Sequence, residues 1–335
     1  MPPARESCHW DTPIAKSAHM TSPFASRGSS VPNGIVVVDK PPGVTSHDVV
    51  QRVRRAIGSR AVGHAGTLDP MATGVLVVAV GQATKLVPWL TAADKSYEAT
   101  IRLGSQTDTL DADGTLTATK PVSQQVLLAL AAWRSNGVAP LLDEVLSEER
   151  SRTFQLPPKH SAIRTEGRRA YALARSGQPV ELAPRPVRVA EIRLVGCSDD
   201  PPTLSFALVV SKGYYVRAFA RDVAEALGTV GHLTALRRVC SGLYTIAEAV
   251  APDAPDLSSH IEPLADAACR VLPVARLTRA GATDARNGRP VQRHDIQGGS
   301  TGPTAWLDEQ GELIAVGEVC PEGHGRVVRG FSIVR

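Results

Sequence analysis

The sequence predicts an α+β protein that ends in a small β-rich module, and three observations carry that prediction. Strand-like runs recur at residues 35–38, 75–80, 96–103, 187–194 and 204–210. Helical patterns separate them in mixed order, which points to an α+β sheet rather than a regular parallel one. After Ala249 the composition shifts to Pro, Ala, Asp and Ser through Pro263, and from Leu272 the chain is short in period, glycine-rich and β-like.

Each element has a local reason. Residues 1–33 are rich in Ser, Pro and Ala without sustained period, and read as a disordered leader. The leader lacks the apolar core of a secretory signal, Glu6 and Asp11 argue against a transit peptide, and Met20 offers a second start. Residues 35–38 are a β-branched run closed by the turn Asp39-Lys40-Pro41-Pro42-Gly43. Thr45 or Ser46 then caps a helix whose Val49, Val53, Ala56 and Ile57 share one face, with arginines opposite and Gly58 as its stop. A glycine-bracketed loop follows, then the strand 75–80 and a short helical segment at 83–90.

Between 96 and 103, Tyr97, Ala99, Ile101 and Leu103 alternate with Glu98, Thr100 and Arg102 as a half-buried strand requires. Asp108, Asp111 and Asp113 superficially resemble a calcium loop, but the glutamate that would complete one is absent. The segment is therefore read as a turn with a carboxylate free to pair with an arginine. Residues 123–152 carry two helical patterns, and a basic helix with Tyr171 and Leu173 follows. Ser211-Lys212-Gly213-Tyr214-Tyr215-Val216-Arg217 passes from strand into an amphipathic helix with Phe219, Val223 and Leu227 inward. Ala305-Trp306-Leu307, the turn Asp308-Glu309-Gln310-Gly311 and residues 313–319 form a hairpin pattern.

The 335 residues, 43% hydrophobic and 21% charged, are ordinary for a globular protein of two domains. No apolar run approaches the roughly 20 residues that span a bilayer, so a cytoplasmic location and no membrane contact are expected. The net charge of +4 is small, yet arginines cluster at Arg52, Arg54, Arg55 and Arg60, at 164–193, at Arg237 and Arg238, and between 276 and 293. Such clusters suit phosphates and equally suit a solvated face. The five cysteines are scattered without a C-x-x-C pair, and the nine histidines lack ligand spacing, so neither a disulfide framework nor a metal site is predicted.

Chemistry concentrates in Gly63-His64-Ala65-Gly66-Thr67-Leu68-Asp69-Pro70-Met71-Ala72-Thr73-Gly74. Here one carboxylate sits in a loop where turns are cheap and a side chain can be aimed at a ligand. Taken alone, Asp-Pro between glycines is equally an ordinary turn.

With the loop and the strand before it, Lys95-Ser96-Tyr97, residues 107–114, Lys212 to Arg217 and Leu236-Arg237-Arg238 occur in the order seen in the TruB family, which the chain resembles over residues 34 to about 250. Members are bacterial synthases that make pseudouridine in the T loop of tRNA. The resemblance implies a pseudouridine synthase fold, with a mixed, mainly antiparallel central sheet flanked by helices, over residues 34–262. It also implies a thumb-like insertion at about 120–165 and a PUA-like RNA-binding domain at 270–335. It places Asp69 at the catalytic aspartate, Tyr97 at the aromatic that stacks on the target base and Arg217 at the arginine that pairs with the aspartate. His64 matches a residue associated with the flipped nucleotide, Tyr215 and Leu236 match pocket positions, Asp111 an acid near the site, and Lys40 a first-motif lysine grouped with the substrate-binding residues but structural in character.

The chemistry agrees with those roles. Converting uridine to pseudouridine breaks the bond from N1 to C1′, turns the base and joins C5 to C1′, without redox change. One carboxylate suffices, by addition to base or ribose or by removing a ribose proton to give a glycal. No metal or organic cofactor is expected. The base must be flipped from a folded loop and held by stacking, and basic helices with the terminal module would bind the T arm and acceptor stem. A stand-alone monomer is expected, without an obligate protein partner, and able also to assist tRNA folding. Competing readings are a guide-RNA-dependent synthase, a non-catalytic tRNA-binding protein, and a hydrolase, which would want a second acid or a metal. The family's Y-S-A-x-K motif has His160 and Arg164 in place of its tyrosine and lysine, and residues 123–152 match the insertion poorly.

Overall fold

A computed structural model describes residues 32–161 and 182–332, with the backbone of 164–165 and 168–169. The expected leader up to residue 31, and the helix with Tyr171 and Leu173, lie outside the described residues. The chain runs through β1 (Gly34–Lys40), α1 (Ser46–Ile57), β2 (Val62–Ala65), β3 (Thr73–Val80), a 3-10 turn (Gly81–Leu86), α2 (Val87–Ala92) and β4 (Lys95–Leu103). The hairpin β5 (Ser105–Thr107) and β6 (Leu116–Thr119) leads to α3 (Gln124–Asn136), α4 (Pro140–Arg150) and the short strands β7 (Phe154–Gln155), β8 (Arg164–Thr165), β9 (Arg168–Arg169) and β10 (Arg185–Pro186). Next come β11 (Val189–Asp199), β12 (Pro202–Val210), α5 (Val216–Ala226), β13 (Gly231–Ser241), β14 (Tyr244–Thr245), β15 (Glu262–Pro263) and α6 (Leu264–Val271). The chain closes with β16 (Val274–Leu277), α7 (Arg279–Arg286), β17 (Ile296–Gly298), β18 (Thr304–Leu307), β19 (Leu313–Val319) and β20 (Gly325–Gly330).

The main sheet has the order β11-β12-β4-β13-β3-β1-β15, with β14 on β13 and β2 on β3. Every pairing is antiparallel except β13 with β3, so the sheet is mixed and mainly antiparallel, as the resemblance implies. β1 and β3 read as continuous apolar runs because both faces are covered. Val36, Val38, Leu76 and Val78 meet Val49, Val50 and Val53 of α1, while Ile35, Val37, Val75 and Val77 share the opposite cluster with Leu90, Ala267 and Ala268. A third cluster packs α3, α4 and α5 on β4, β11, β12 and β13. The two helices expected in the insertion are therefore core elements, burying Val126, Leu130, Leu142, Val145 and Leu146.

The terminal sheet has the order β17-β16-β18-β19-β20, and its hairpin falls where the sequence puts it. It is not detached from the rest. Ala305, Leu307, Leu313, Val316 and Phe331 share an apolar cluster with β1, β3 and α6, and Lys85 Nζ donates to the Gly330 carbonyl at 2.9 Å.

Several elements differ from the sequence reading. Residues 63–65, read as the start of the loop, belong to β2 (Val62–Ala65), paired with β3. The 11-residue β13 was not anticipated, because register shifts between Leu233 and Ala235 and between Arg238 and Cys240 break its alternation. Helices α6 and α7 stand beside and within a stretch read as wholly β-like.

The parallel contact of β13 with β3 needs a residue without a side chain at Gly74. Its φ is +98°, and a Cβ there would lie 2.2 Å from the Arg238 carbonyl oxygen. Gly74→Ala is expected to lower stability by about 2–4 kcal/mol, combining left-handed strain with overpacking. Urea unfolding measures this, and a loss under about 0.5 kcal/mol, the scale of an inert surface change, would contradict the packing described.

Candidate active site

The loop that carries Asp69 is clamped on both sides. Thr45, not Ser46, is the N-cap of α1, receiving the Asp48 amide while the Asp48 carboxylate accepts from the Thr45 amide. Ser46 is thereby free for another task. Its buried hydroxyl accepts from the Leu68 amide at 2.8 Å and donates to the Leu68 carbonyl at 3.1 Å. On the other side of Asp69, the Pro70 carbonyl accepts from the Gly43 amide at 2.9 Å and from Lys40 Nζ at 3.0 Å.

Lys40 is fully buried, and its ammonium also donates to the carbonyls of Pro41 and Val44, at 2.9 and 2.7 Å. Burial pushes it down to about 8, against the pull of Asp69, so it is still mostly charged at neutral pH. Lys40, which the resemblance groups with the substrate-binding residues but as structural in character, spends its three donors on backbone carbonyls and so fixes the loop.

Arg217 lies in the first turn of α5, whose Val216, Phe219, Ala220 and Val223 enter the core. Phe219 meets Phe206 edge-on at 5.1 Å. A polar network ties this helix to α4: Arg152 bonds buried Glu149 and lies 3.6 Å from Asp222, while Arg221 donates to Asp222 at 2.8 Å and to the Leu156 carbonyl at 3.1 Å. At the helix start, the Gln155 amide group brackets Tyr215, accepting from its N–H at 2.8 Å and donating to its carbonyl at 3.2 Å.

From this position Arg217 reaches the loop 148 residues away. Nη2 donates to Asp69 Oδ1 at 3.0 Å, and Nε lies 2.9 Å from Oδ2 as an ion-pair contact, off the hydrogen-bond direction. Nη1 donates to the Thr109 carbonyl and Nη2 also to the His160 carbonyl, both at 2.9 Å. Asp111 adds a second carboxylate, its Oδ2 3.6 Å from Nε. Asp111 Oδ1 is held by the Thr109 hydroxyl at 2.6 Å and the Asp113 amide at 3.2 Å.

About a third of the Asp69 side chain, 32%, is open to the cavity, while protein encloses the rest. That enclosure pushes its carboxyl above the ordinary carboxylate value; Arg217 opposes the shift, Asp111 adds to it, and Lys40 pulls weakly downward.

His64, Asp69, Tyr97, Asp111, Tyr215, Arg217 and Leu236 line one cavity of about 1180 Å³. That exceeds the roughly 300–1,000 Å³ of small-molecule sites, as a cleft admitting part of a polymer would. Tyr97 and Leu236 are buried in the same apolar cluster as Leu68, giving the cavity an apolar wall beside the carboxylate. Burial first, and Arg238 second, hold the His64 imidazole below its usual value, which favours the neutral ring. Lys95 and Arg238 line the cavity too. Sequence reasoning quoted both within motifs without giving either a role. It named Ser46 only as an alternative cap.

A selectively labelled carboxyl NMR titration tests these electrostatics. The Asp69 midpoint is expected above that of an exposed aspartate, and Asp111→Asn is expected to lower it by removing a neighbouring negative charge. A midpoint at or below the ordinary value, or an upward move in the variant, would contradict the geometry.

Residues 54–216 match the family described as TruB family pseudouridylate synthase (N terminal domain). Curated proteins named tRNA pseudouridine synthase B are similar over most of the chain. That of Thermobifida fusca (strain YX) is 44% identical over 293 residues, covering 85% of this chain and 94% of its own. That of Mycobacterium sp. (strain KMS) is 46% identical over 278 residues, covering 81% and 88%, and that of Ruegeria pomeroyi is 40% identical over 295, covering 85% and 91%. Among solved structures, a Cbf5-Nop10-Gar1 complex superposes with a TM-score of 0.65 at 23% identity, covering 89% of this chain and 84% of that one, a likeness of fold. With identities of 40–46% over more than four fifths of its length, the chain belongs to the TruB family.

Proposed function

We infer that Asp69 is the catalytic carboxylate of a tRNA pseudouridine synthase that isomerises uridine 55 in the T loop. The observation that carries the reading is the Asp69 and Arg217 pair at the floor of the cavity, in a chain whose relatives bear that activity in their names.

The reaction needs an ionised carboxylate next to an apolar surface. Enclosure pushes the Asp69 carboxyl towards its protonated form; Arg217 opposes that shift and holds both carboxylate oxygens. Tyr97, on the adjoining wall, offers the face on which a flipped uracil stacks and the hydroxyl that can relay the proton lost from C5. His64, Tyr215 and Leu236 line the same cavity, and in this reading His64 attends the flipped nucleotide while Tyr215 and Leu236 form walls of its pocket. Atoms balance without a co-reactant: the bond from N1 to C1′ breaks, C5 joins C1′, and the C5 proton is exchanged for one at N1. Addition to the base, addition to the ribose and glycal formation all start from the same ionised Asp69.

The basic residues of α1 and of the terminal sheet contact the T arm and acceptor stem, the terminal sheet acting as a PUA-like module over residues 270–335. The chain acts alone, as a monomer and without cofactor, and can assist tRNA folding.

The test is incubation of the purified chain with unmodified tRNA, reading pseudouridine by mass or by carbodiimide-dependent primer stops. Product is expected at uridine 55 without added RNA or protein. Asp69→Asn is expected to lose more than about 10³-fold in single-turnover rate while retaining tRNA affinity. Product from that variant at wild-type rate, or conversion only with an added guide RNA, would overturn the assignment.

A further inference from the structure

The cavity holds positive charge that no carboxylate neutralises. Arg238, 1% exposed, stands on β13 and donates through Nε to the Val75 carbonyl at 2.6 Å and through Nη2 to the Gly66 carbonyl at 3.0 Å. Both acceptors are uncharged, and Nη1 makes no hydrogen bond among the described residues. Lys95, 6% exposed, donates to the Thr91 carbonyl at 2.6 Å and to the Ala93 carbonyl, which leaves one ammonium N–H unused. Arg217, Arg237 and Arg152, by contrast, are paired with Asp69, Asp39 and Glu149.

Gly66 lies beside both side chains. At the place where its Cβ would stand, Arg238 Nη1 is 3.5 Å away and Lys95 Cε 3.7 Å. The φ of Gly66, +95°, is one that a side-chain-bearing residue rarely adopts, and the space it leaves adjoins Arg238 Nη1 and the end of the Lys95 stem. His64 adds a buried Nδ1 without a partner. The charged groups that face Lys95 are Arg238, Asp94 and Lys212, and the acid among them is already bonded to Arg188. Burial and Arg238 together push Lys95 down to about 8. Such an arrangement is destabilising until an anion arrives.

We propose that Arg238 and Lys95 form a phosphodiester-binding subsite that seats one backbone phosphate of the RNA beside the flipped uridine, with Gly66 leaving room for the phosphate oxygens. The proposal rests on reading the cavity as the uridine site. Phosphodiesters are the anionic groups of an RNA backbone, and a guanidinium edge with an ammonium point charge matches one phosphate. The subsite lies inside the cavity, so its contact forms only once the nucleotide has left the stack. It therefore fixes the register of the flipped nucleotide rather than contributing to general adhesion.

The test replaces, one at a time, each phosphate within two nucleotides of the target uridine of a T-arm RNA by an uncharged methylphosphonate. Affinity and single-turnover rate are then measured with the wild-type chain. One position, or two adjacent ones, is expected to lose about 10-fold or more in affinity, the scale of a charge-assisted contact. Lys95→Met is expected to weaken the unmodified RNA similarly, to lower the salt slope of log Kd by about 1, and to add under twofold on the sensitive methylphosphonate RNA. Equal sensitivity at every position, or full multiplication of the two losses, would overturn the subsite. Should Lys95→Met not fold, the phosphate scan on the wild-type chain decides alone. Failure to convert the unmodified RNA would sink the reading of the cavity, whereas conversion with a flat scan sinks the subsite.

Discussion

Enclosure strips a carboxylate of part of the hydration that keeps it ionised, and in this protein the Arg217 guanidinium offsets part of that loss at Asp69. The offset works because the guanidinium is held from several directions. Two carbonyls, those of Thr109 and His160, take its outer donors, Asp111 supplies a second negative charge, and α5 is buried along the face that carries Val216, Phe219 and Val223. Asp69 is held by a separate set of bonds, through Ser46 on Leu68 and Lys40 on Pro70. Neither partner has to be ordered by the other, which is what preorganisation requires.

This division explains why the chain tolerates a departure from the family pattern. His160 departs from the tyrosine that the motif resemblance implies, yet its contribution to Arg217 is a main-chain carbonyl that any residue there supplies. Its ring turns elsewhere, with Nδ1 3.1 Å from the Asp108 carbonyl. The buried lysines and arginines divide similarly. Lys40 spends its charge on backbone to shape a loop, whereas Arg238 and Lys95 each keep a donor that bonds nothing among the described residues.

What the sequence disclosed depended on how local the signal was. Asp69 stood out because its turn chemistry lies within twelve residues. The strands β1, β3 and β4 and the helix α1 were legible for the same reason, through period and capping. The Arg217 contact spans 148 residues and entered only through the family resemblance. Strand β13 was hidden because its bulges destroy the two-residue period. Ser46 looked like a cap, and only the fold brings Leu68 to it. The unpaired charge of Lys95 and Arg238 was invisible in the sequence, where each looks like any other basic residue, since the absence of a partner is a property of three-dimensional neighbourhood.

The measurement that bears most directly on the central claim is the single-turnover rate of Arg217→Lys beside its tRNA affinity. A lysine keeps the positive charge but cannot engage both Asp69 oxygens while also reaching the Thr109 and His160 carbonyls. The account predicts a rate lower by about 10²-fold, as when one positioned donor is lost from an active site, with affinity within about threefold of wild type. A variant that turns over at the wild-type rate would contradict it, because charge alone, rather than the held geometry of the guanidinium, would then be enough.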